Sequence, residues 1–228
     1  ISAKGIERDT GLFMHEVMGE LWPGRPALVL SGPSFAEDVM QGLPTAVTLA
    51  APSLAEAGEW AERLSLPQFR IYASDDVKGV EIGGSLKNVL AIACGISDGR
   101  GLGASARAAL TTRGFAELQR LGRKLGARPE TLMGLSGLGD LLLTCSSPQS
   151  RNFAFGLAIG RGASVEQAML QSHGVVEGAA TARIACEIAE KAGVEMPIVS
   201  AVTAIIDEGA SPDQQIARLL ARPAGKEM

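Results

Sequence analysis

The chain has 228 residues, of which 46% are hydrophobic and 20% charged, with a net charge of −4. This is a globular composition, long enough for one large domain or two smaller ones with a real core. It argues against a nucleic-acid partner, because Lys and Arg form no basic stripe, and no run reaches the roughly 18 apolar residues that would span a bilayer.

The segment begins at Ile1 rather than Met and enters at once on Ser2-Ala3-Lys4-Gly5. That stretch reads as the end of a strand and lacks the charged-then-apolar order of a secretory signal. A domain boundary rarely falls at such a point, so a preceding N-terminal portion is expected. Pro26 to Gly32 reads as a buried strand ending in a turn, and residues 45–50 and 69–73 read as two more strands. Between these two, residues 53–64 are amphipathic, with Ser53 as N-cap and Glu56 three positions on, the pattern of a capping box. Alternating strands and helices predict an α/β layer over residues 1–76.

After Asp75-Asp76 no strand is predicted. Helices are expected at about 79–96, 104–125, 129–134, 151–160, 164–170, 177–192, 197–207 and 212–221, broken by Gly- and Pro-rich turns. Ser164 to Gln167 and Ser211 to Gln214 are further capping-box starts. Gly (28 residues) and Ala are abundant while aromatics make up only 4%, which suits close helix packing. The cysteines Cys94, Cys145 and Cys186 are odd in number and far apart, which fits a reducing cytoplasm and three core thiols. His15 and His173 are too few and too isolated for a metal site.

Five stretches carry candidate chemistry. Lys87 bears the only formal charge within the apolar run after Ile82, and burying an unpaired ammonium costs several kcal/mol. On a helix its neighbours would be Gly83, Gly84, Ala91 and Cys94, leaving a trough for a substrate or another backbone. These residues alone fit both a functional lysine and one whose head snorkels to water. Ser31-Gly32-Pro33-Ser34-Phe35-Ala36 sits at a strand-to-helix turn, where open α/β sheets bind ligands. Asp140, at the head of Leu141-Leu142-Leu143-Thr144, is either an N-cap or a buried acid sharing a face with Thr144. Ser150 reads as an N-cap that places Arg151 and Asn152 in a first helical turn. A cation there opposes the helix dipole unless an anion joins it, so the pair suits phosphate or carboxylate as well as an exposed turn. Glu177, after Val175-Val176, is by itself a weak signal, since it could be simply a first-turn acid of the next helix.

Taken together, SAKGIE, SGPSFA, GVEIGGSLKNVLAIACGISDG, LTTRG, SGLGDLLLTC, SRNFAFG and VVEG resemble the NAD(P)-dependent glycerol-3-phosphate dehydrogenases of the soluble bacterial type, over essentially the whole chain. The family's N-terminal Gly-rich dinucleotide fingerprint is missing from the sequence. The resemblance implies a partial Rossmann-type domain (residues 1–76) followed by an all-α substrate-binding and catalytic domain like the C-terminal domain of 6-phosphogluconate dehydrogenase (residues 77–228). It implies a catalytic Lys87 and substrate-binding positions at Lys4, Gly32, Ser34, Lys87, Asp140, Ser150, Arg151 and Asn152. Cofactor positions fall at Lys4, Ala36, Arg151, Val175 and Glu177, and the cofactor is NAD or NADP. The implied reaction interconverts dihydroxyacetone phosphate and sn-glycerol 3-phosphate, supplying phospholipid synthesis, in a cytoplasmic homodimer with no membrane insertion. The fragment alone is expected to be inactive. Two readings compete: a 3-hydroxyacid or 6-phosphogluconate type of dehydrogenase, or a helical dimerisation module without activity.

Overall fold

The computed structural model describes residues 1–172 and 174–223; His173 lies outside the described residues. Three strands, β1 (Val29–Ser31), β2 (Thr45–Ala50) and β3 (Phe69–Ser74), form one sheet in the order β1-β2-β3. β1 runs antiparallel to β2, with Leu30 opposite Leu49, and β2 runs parallel to β3, with Val47 opposite Ile71. The parallel pair needs a crossover, and α3 (Leu54–Leu64) supplies it. Ser53 caps this helix by accepting from Glu56 N–H at 3.2 Å, which is one half of the expected box.

The N-terminal strand is shorter than predicted. Ile1 alone pairs with the sheet, donating to the Leu28 carbonyl and accepting from Leu30 N–H. Residues 2–5 run on as irregular chain to a bridge between Ile6 and Phe13. That bridge leads into α1 (Met14–Leu21), and α2 (Ala36–Met40) follows β1. The strand expected over 26–32 narrows to Val29–Ser31, and Pro26 has no N–H to donate at its start.

From α4 (Val77–Gly99) onward the described chain is helical: α5 (Gly103–Lys124), α6 (Pro129–Met133), a π-helical turn over Leu135–Gly139, α7 (Asp140–Ser146), α8 (Arg151–Gly160), α9 (Val165–Gln171), α10 (Glu177–Ala192), α11 (Pro197–Asp207) and α12 (Pro212–Leu220). α9 starts with a complete capping box between Ser164 and Gln167. The one expected at Ser211 does not form: its side chain accepts no capping bond, and Pro212 at the first helical position already lacks a donor to satisfy.

α4 is the axis of the molecule. Every residue from Gly79 to Ser97 is buried, with the sheet against its first turns and α5, α7, α8 and α10 around the rest. It meets the length and apolarity of a membrane span, contrary to the expectation that no segment would, but that window is entirely buried inside the protein. α4 is therefore a core helix, apolar all round because it is covered all round. Its approach to α8 uses glycine on both sides. A Cβ on Gly156 would stand 2.1 Å from the Ile92 carbonyl oxygen, and one on Gly95 would stand 2.1 Å from that of Phe153. Asp76 fixes the entry to α4, accepting from Gly79 N–H at 2.9 Å and, with its other oxygen, from Arg128 N–H at 2.9 Å.

The thiols differ in burial. Cys94 of α4 and Cys145 of α7 are both buried, with Cys94 Sγ 3.4 Å from Thr111 Oγ1, whereas Cys186 is only half-buried. The three-core-thiols reading thus holds for two of them. Farther out, Glu117 of α5 is buried and accepts from Ile198 N–H (2.9 Å) and Val199 N–H (3.3 Å) at the start of α11. It lines an apolar cavity of about 860 Å³ between α5, α11 and α12. Burial there pushes its carboxyl up to about 7 against the pull of those two N–H bonds.

Candidate active site

Lys87 projects from the middle of α4 and is 6% exposed, which rules out a head snorkelling to water. Its Nζ donates to Thr144 Oγ1 at 2.8 Å and lies 3.0 Å from Asp140 Oδ1. The other carboxylate oxygen of Asp140 receives Lys4 Nζ at 2.7 Å, and Lys4 also donates to the Gly32 carbonyl at 3.2 Å. One buried carboxylate thus serves two ammonium groups, brought from α4 and from the N-terminal segment. The trio carries a residual charge of about +1, a setting for an anion or for an oxygen that gains negative charge.

Local structure explains why these groups meet. The Ser136-Gly137-Leu138-Gly139 stretch takes the wide π-helical turn just before α7, a form often found at functional sites. A Cβ on Gly83 would lie 2.6 Å from the Ser136 carbonyl oxygen, and one on Gly84 would lie 2.8 Å from Ser31 Oγ. The trough of small residues below Lys87 is therefore filled by protein, by the π turn and the end of β1, rather than held open for a substrate. This close seating delivers Asp140 to Lys87. Asp140 is the first residue of α7 and makes no capping bond; it is a buried acid whose carboxylate meets the two lysines and, at 3.2 Å, Thr144 Oγ1. Thr144, one turn on, donates to the Asp140 carbonyl at 2.6 Å and thereby turns its lone pairs toward Lys87.

Lys87 is held below the ordinary lysine value. Desolvation is the largest cause, Asp140 opposes it, and the second cation Lys4 adds to it. Sequence alone left this balance open; burial decides it.

A second group lies along the same helix. Asn88 Nδ2 donates to Glu177 Oε2 at 3.1 Å, and its 3.5 Å approach to the Lys4 carbonyl joins this group to the first. Asn152 is buried and accepts from Gly178 N–H at 2.9 Å, tying the first turn of α8 to that of α10. Glu177 is thus a first-turn acid and also a partner of Asn88. Ser150 is the N-cap expected of it, accepting from Phe153 N–H at 3.2 Å. Arg151 is exposed, with its guanidinium against Gly174, and neighbouring Val175 is 71% exposed. On the β1 side, Ser34 Oγ donates to the Gly32 carbonyl at 3.1 Å and Ala36 is exposed at the start of α2.

The structure therefore brings Lys4, Gly32, Lys87, Asp140 and Thr144 into one contact network and joins Asn88, Asn152 and Glu177 to it. Arg151, Val175 and Ala36 lie on exposed surface. Asn88 and Thr144 were not among the sequence-derived site residues, although each carried a signal: Asn88 adjoins Lys87, and Thr144 stands four residues after Asp140. The hydroxyls of Ser31, beside Gly84, and of Ser136 are buried without a hydrogen-bond partner among the described residues. Both serines open motifs quoted above, SGPSFA and SGLGDLLLTC, but neither was named as a site residue.

Comparison with known proteins places the whole chain in one family. Residues 1–57 match the family described as NAD-dependent glycerol-3-phosphate dehydrogenase N-terminus, and residues 76–217 match its C-terminus. A glycerol-3-phosphate dehydrogenase [NAD(P)+] of Methylobacterium radiotolerans is 59% identical across 98% of this chain, which spans 67% of that protein. The protein of that name from Brucella ovis is 55% identical, with the same coverage. The crystal structure of glycerol-3-phosphate dehydrogenase from Coxiella burnetii superposes with a TM-score of 0.93 at 44% identity, over 97% of this chain and 68% of that one. A lysine-centred site on a helical domain, a partial Rossmann layer beside it and these matches lead to one assignment: the chain belongs to the NAD-dependent glycerol-3-phosphate dehydrogenase family.

Proposed function

We propose that Lys87 is the acid–base group of an NAD(P)-dependent interconversion of dihydroxyacetone phosphate and sn-glycerol 3-phosphate. The observation that carries this reading is the buried Lys87–Asp140–Lys4 cluster with its excess positive charge. When the ketone is reduced, negative charge grows on the carbonyl oxygen, and the Lys87 ammonium stabilises and then protonates it. In the reverse direction the neutral amine accepts the hydroxyl proton, which the lowered pKa of Lys87 makes available closer to neutrality. Asp140 holds both lysines in register and Thr144 fixes the direction of the Lys87 head.

The nicotinamide cofactor supplies and receives the hydride. The residues present suit its reactive end: two buried hydroxyls, Ser31 and Ser136, have unused hydrogen-bonding capacity beside the lysine helix. Val175, Glu177, Ala36, Lys4 and Arg151 would hold it on the exposed side, with Arg151 shared with the substrate phosphate. Arg151 at the first turn of α8 adds a guanidinium to free backbone N–H groups, a suitable phosphate seat. Gly32, Ser34, Ser150 and Asn152 complete the substrate side.

We place the boundary between the α/β part (1–76) and the helical part (77–228) at the Asp76 cap, the residue at which the second matched family segment begins. The free thiols among the described residues support a cytoplasmic setting, and we read the assembly as a homodimer. The test of this reading is steady-state turnover of the full-length enzyme with dihydroxyacetone phosphate against 3-hydroxyacids and 6-phosphogluconate. Turnover confined to the triose phosphate pair is expected; faster turnover of a hydroxyacid would overturn the assignment.

A further inference from the structure

We propose that Glu81 is a positioning residue of the active site: its buried carboxylate grips the start of α1 and so holds the segment that carries Lys4 against Asp140. Lys4 and Asp140 are 136 positions apart in sequence. Residues 2–5 are irregular chain, so no strand or helix of their own fixes the lysine.

The segment lies along one face of α4. Glu81, Gly84, Ser85 and Asn88 stand at i, i+3, i+4 and i+7 and share that face. At one end, Asn88 Nδ2 approaches the Lys4 carbonyl at 3.5 Å. Gly84 lies beside the Lys4 stem, since a Cβ built there would stand 3.5 Å from Lys4 Cγ. At the other end, Glu81 Oε1 accepts from His15 N–H at 2.9 Å, and Glu81 Oε2 pairs with His15 Nδ1. Ser85 supports Glu81 from below by donating to its backbone carbonyl at 2.8 Å.

Glu81 is 6% exposed, and a carboxylate is buried at such a place only if it is paired. Both of its oxygens are used on His15. The position gripped is apt, because the first N–H groups of a helix lack helical partners and favour an anion. The N-cap of α1, Phe13, makes no side-chain capping bond. α1 itself has no fully buried residue. Ile6 and Phe13 sit in the core and form the bridge that joins the Lys4 stretch to α1. Apolar contacts of that kind are non-directional and fix how deep the segment sits. The Glu81 bonds are directional and fix where it lies along α4. The remaining tie, Lys78 to Glu16 at 3.4 Å, is about one-third exposed and therefore weak.

Releasing α1 lets Lys4 withdraw from Asp140. Asp140 and Cys145 of α7 and the Lys4 ammonium are the charged or titratable groups that bear on Lys87, and of these only Lys4 rides on the segment that Glu81 holds. Lys87 would then lose a neighbouring cation, keep Asp140 to itself and hold its proton more tightly. Oxidation of the alcohol, which needs the neutral amine, would move to higher pH.

This consequence rests on the role assigned to Lys87, so the first readout does not depend on it. Full-length Glu81→Leu and Glu81→Gln enzymes are labelled briefly with acetic anhydride, and each lysine is quantified by mass spectrometry. Circular dichroism checks the fold. Gln keeps an oxygen for the His15 N–H and serves as the conservative variant; it also carries both comparisons if Glu81→Leu does not fold. Lys4 should label severalfold faster in Glu81→Leu and less so in Glu81→Gln, with Lys124 and Lys191 unchanged. Single-turnover oxidation of glycerol 3-phosphate should shift to higher pH by up to about one unit. In a Lys4→Met background the same Glu81 substitution should add no shift, because Glu81 acts through Lys4. Wild-type labelling of Lys4 in both variants would overturn the proposal, as would a shift that persists in full in the Lys4→Met background. Faster Lys4 labelling with an unmoved pH profile would retain the grip and refute the acid–base reading of Lys87.

Discussion

Glu117 offers a quantitative test of how this fold balances burial against hydrogen bonding. The perturbation is Glu117→Gln, a neutral near-isostere whose carbonyl oxygen can still accept from Ile198 and Val199. In wild type, burial lifts the carboxyl from 4.5 to about 7 in the folded state. The folded protein therefore binds more protons than the unfolded one between those values, and stability must fall as pH rises through the window. The contribution is fully present below pH 4.5 and lost above about 7. At 1.36 kcal/mol per pH unit, the gap is worth about 3 kcal/mol. Gln carries no such dependence. Chemical denaturation of both proteins from pH 5 to pH 8 should thus show the variant gaining on wild type by up to about 3 kcal/mol, with near-equal stability at the acid end. A wild type that becomes more stable than the variant as pH rises from 5 to 8 would refute the reasoning. It would mean that the α11 N–H groups outweigh desolvation.

Three further outcomes follow from other parts of the structure. Asp140→Asn leaves two ammonium groups facing each other without their shared counter-charge, so stability should drop by about 3–5 kcal/mol. The same variant should move the pH profile of glycerol 3-phosphate oxidation to lower pH, since Asp140 is the group that raises the Lys87 pKa; an unmoved profile would contradict that coupling. Gly156→Ala places a Cβ 2.1 Å from the Ile92 carbonyl and should cost about 1–3 kcal/mol by overpacking, read as a lower Tm.

Much of this arrangement was legible because it is written in local patterns. Most helices from 79 onward end within two or three residues of where glycine, proline and capping residues placed them, and Ser150 and Ser164 cap as their types suggest. The failures have physical causes. A three-residue strand such as β1 carries too little periodicity to fix its ends, and a π turn has no sequence period to detect. The small residues around Lys87 signalled close approach, but only three-dimensional packing shows that Ser136 and Ser31 fill the space. For the same reason the contact between α4 and α7 is invisible in the chain: Lys87 and Thr144 stand 57 positions apart, yet their side chains meet at 2.8 Å. The apolar length of α4 illustrates the converse, since composition cannot say whether protein or lipid covers a helix.

The central claim is that Lys87 moves the proton that accompanies hydride transfer. Single-turnover reduction of dihydroxyacetone phosphate by the full-length Lys87→Ala enzyme, followed through the nicotinamide absorbance, tests it most directly. The account predicts that the hydride-transfer step falls by about 10²–10⁴-fold, while circular dichroism and cofactor binding match wild type. Near-normal hydride transfer in that variant would contradict it.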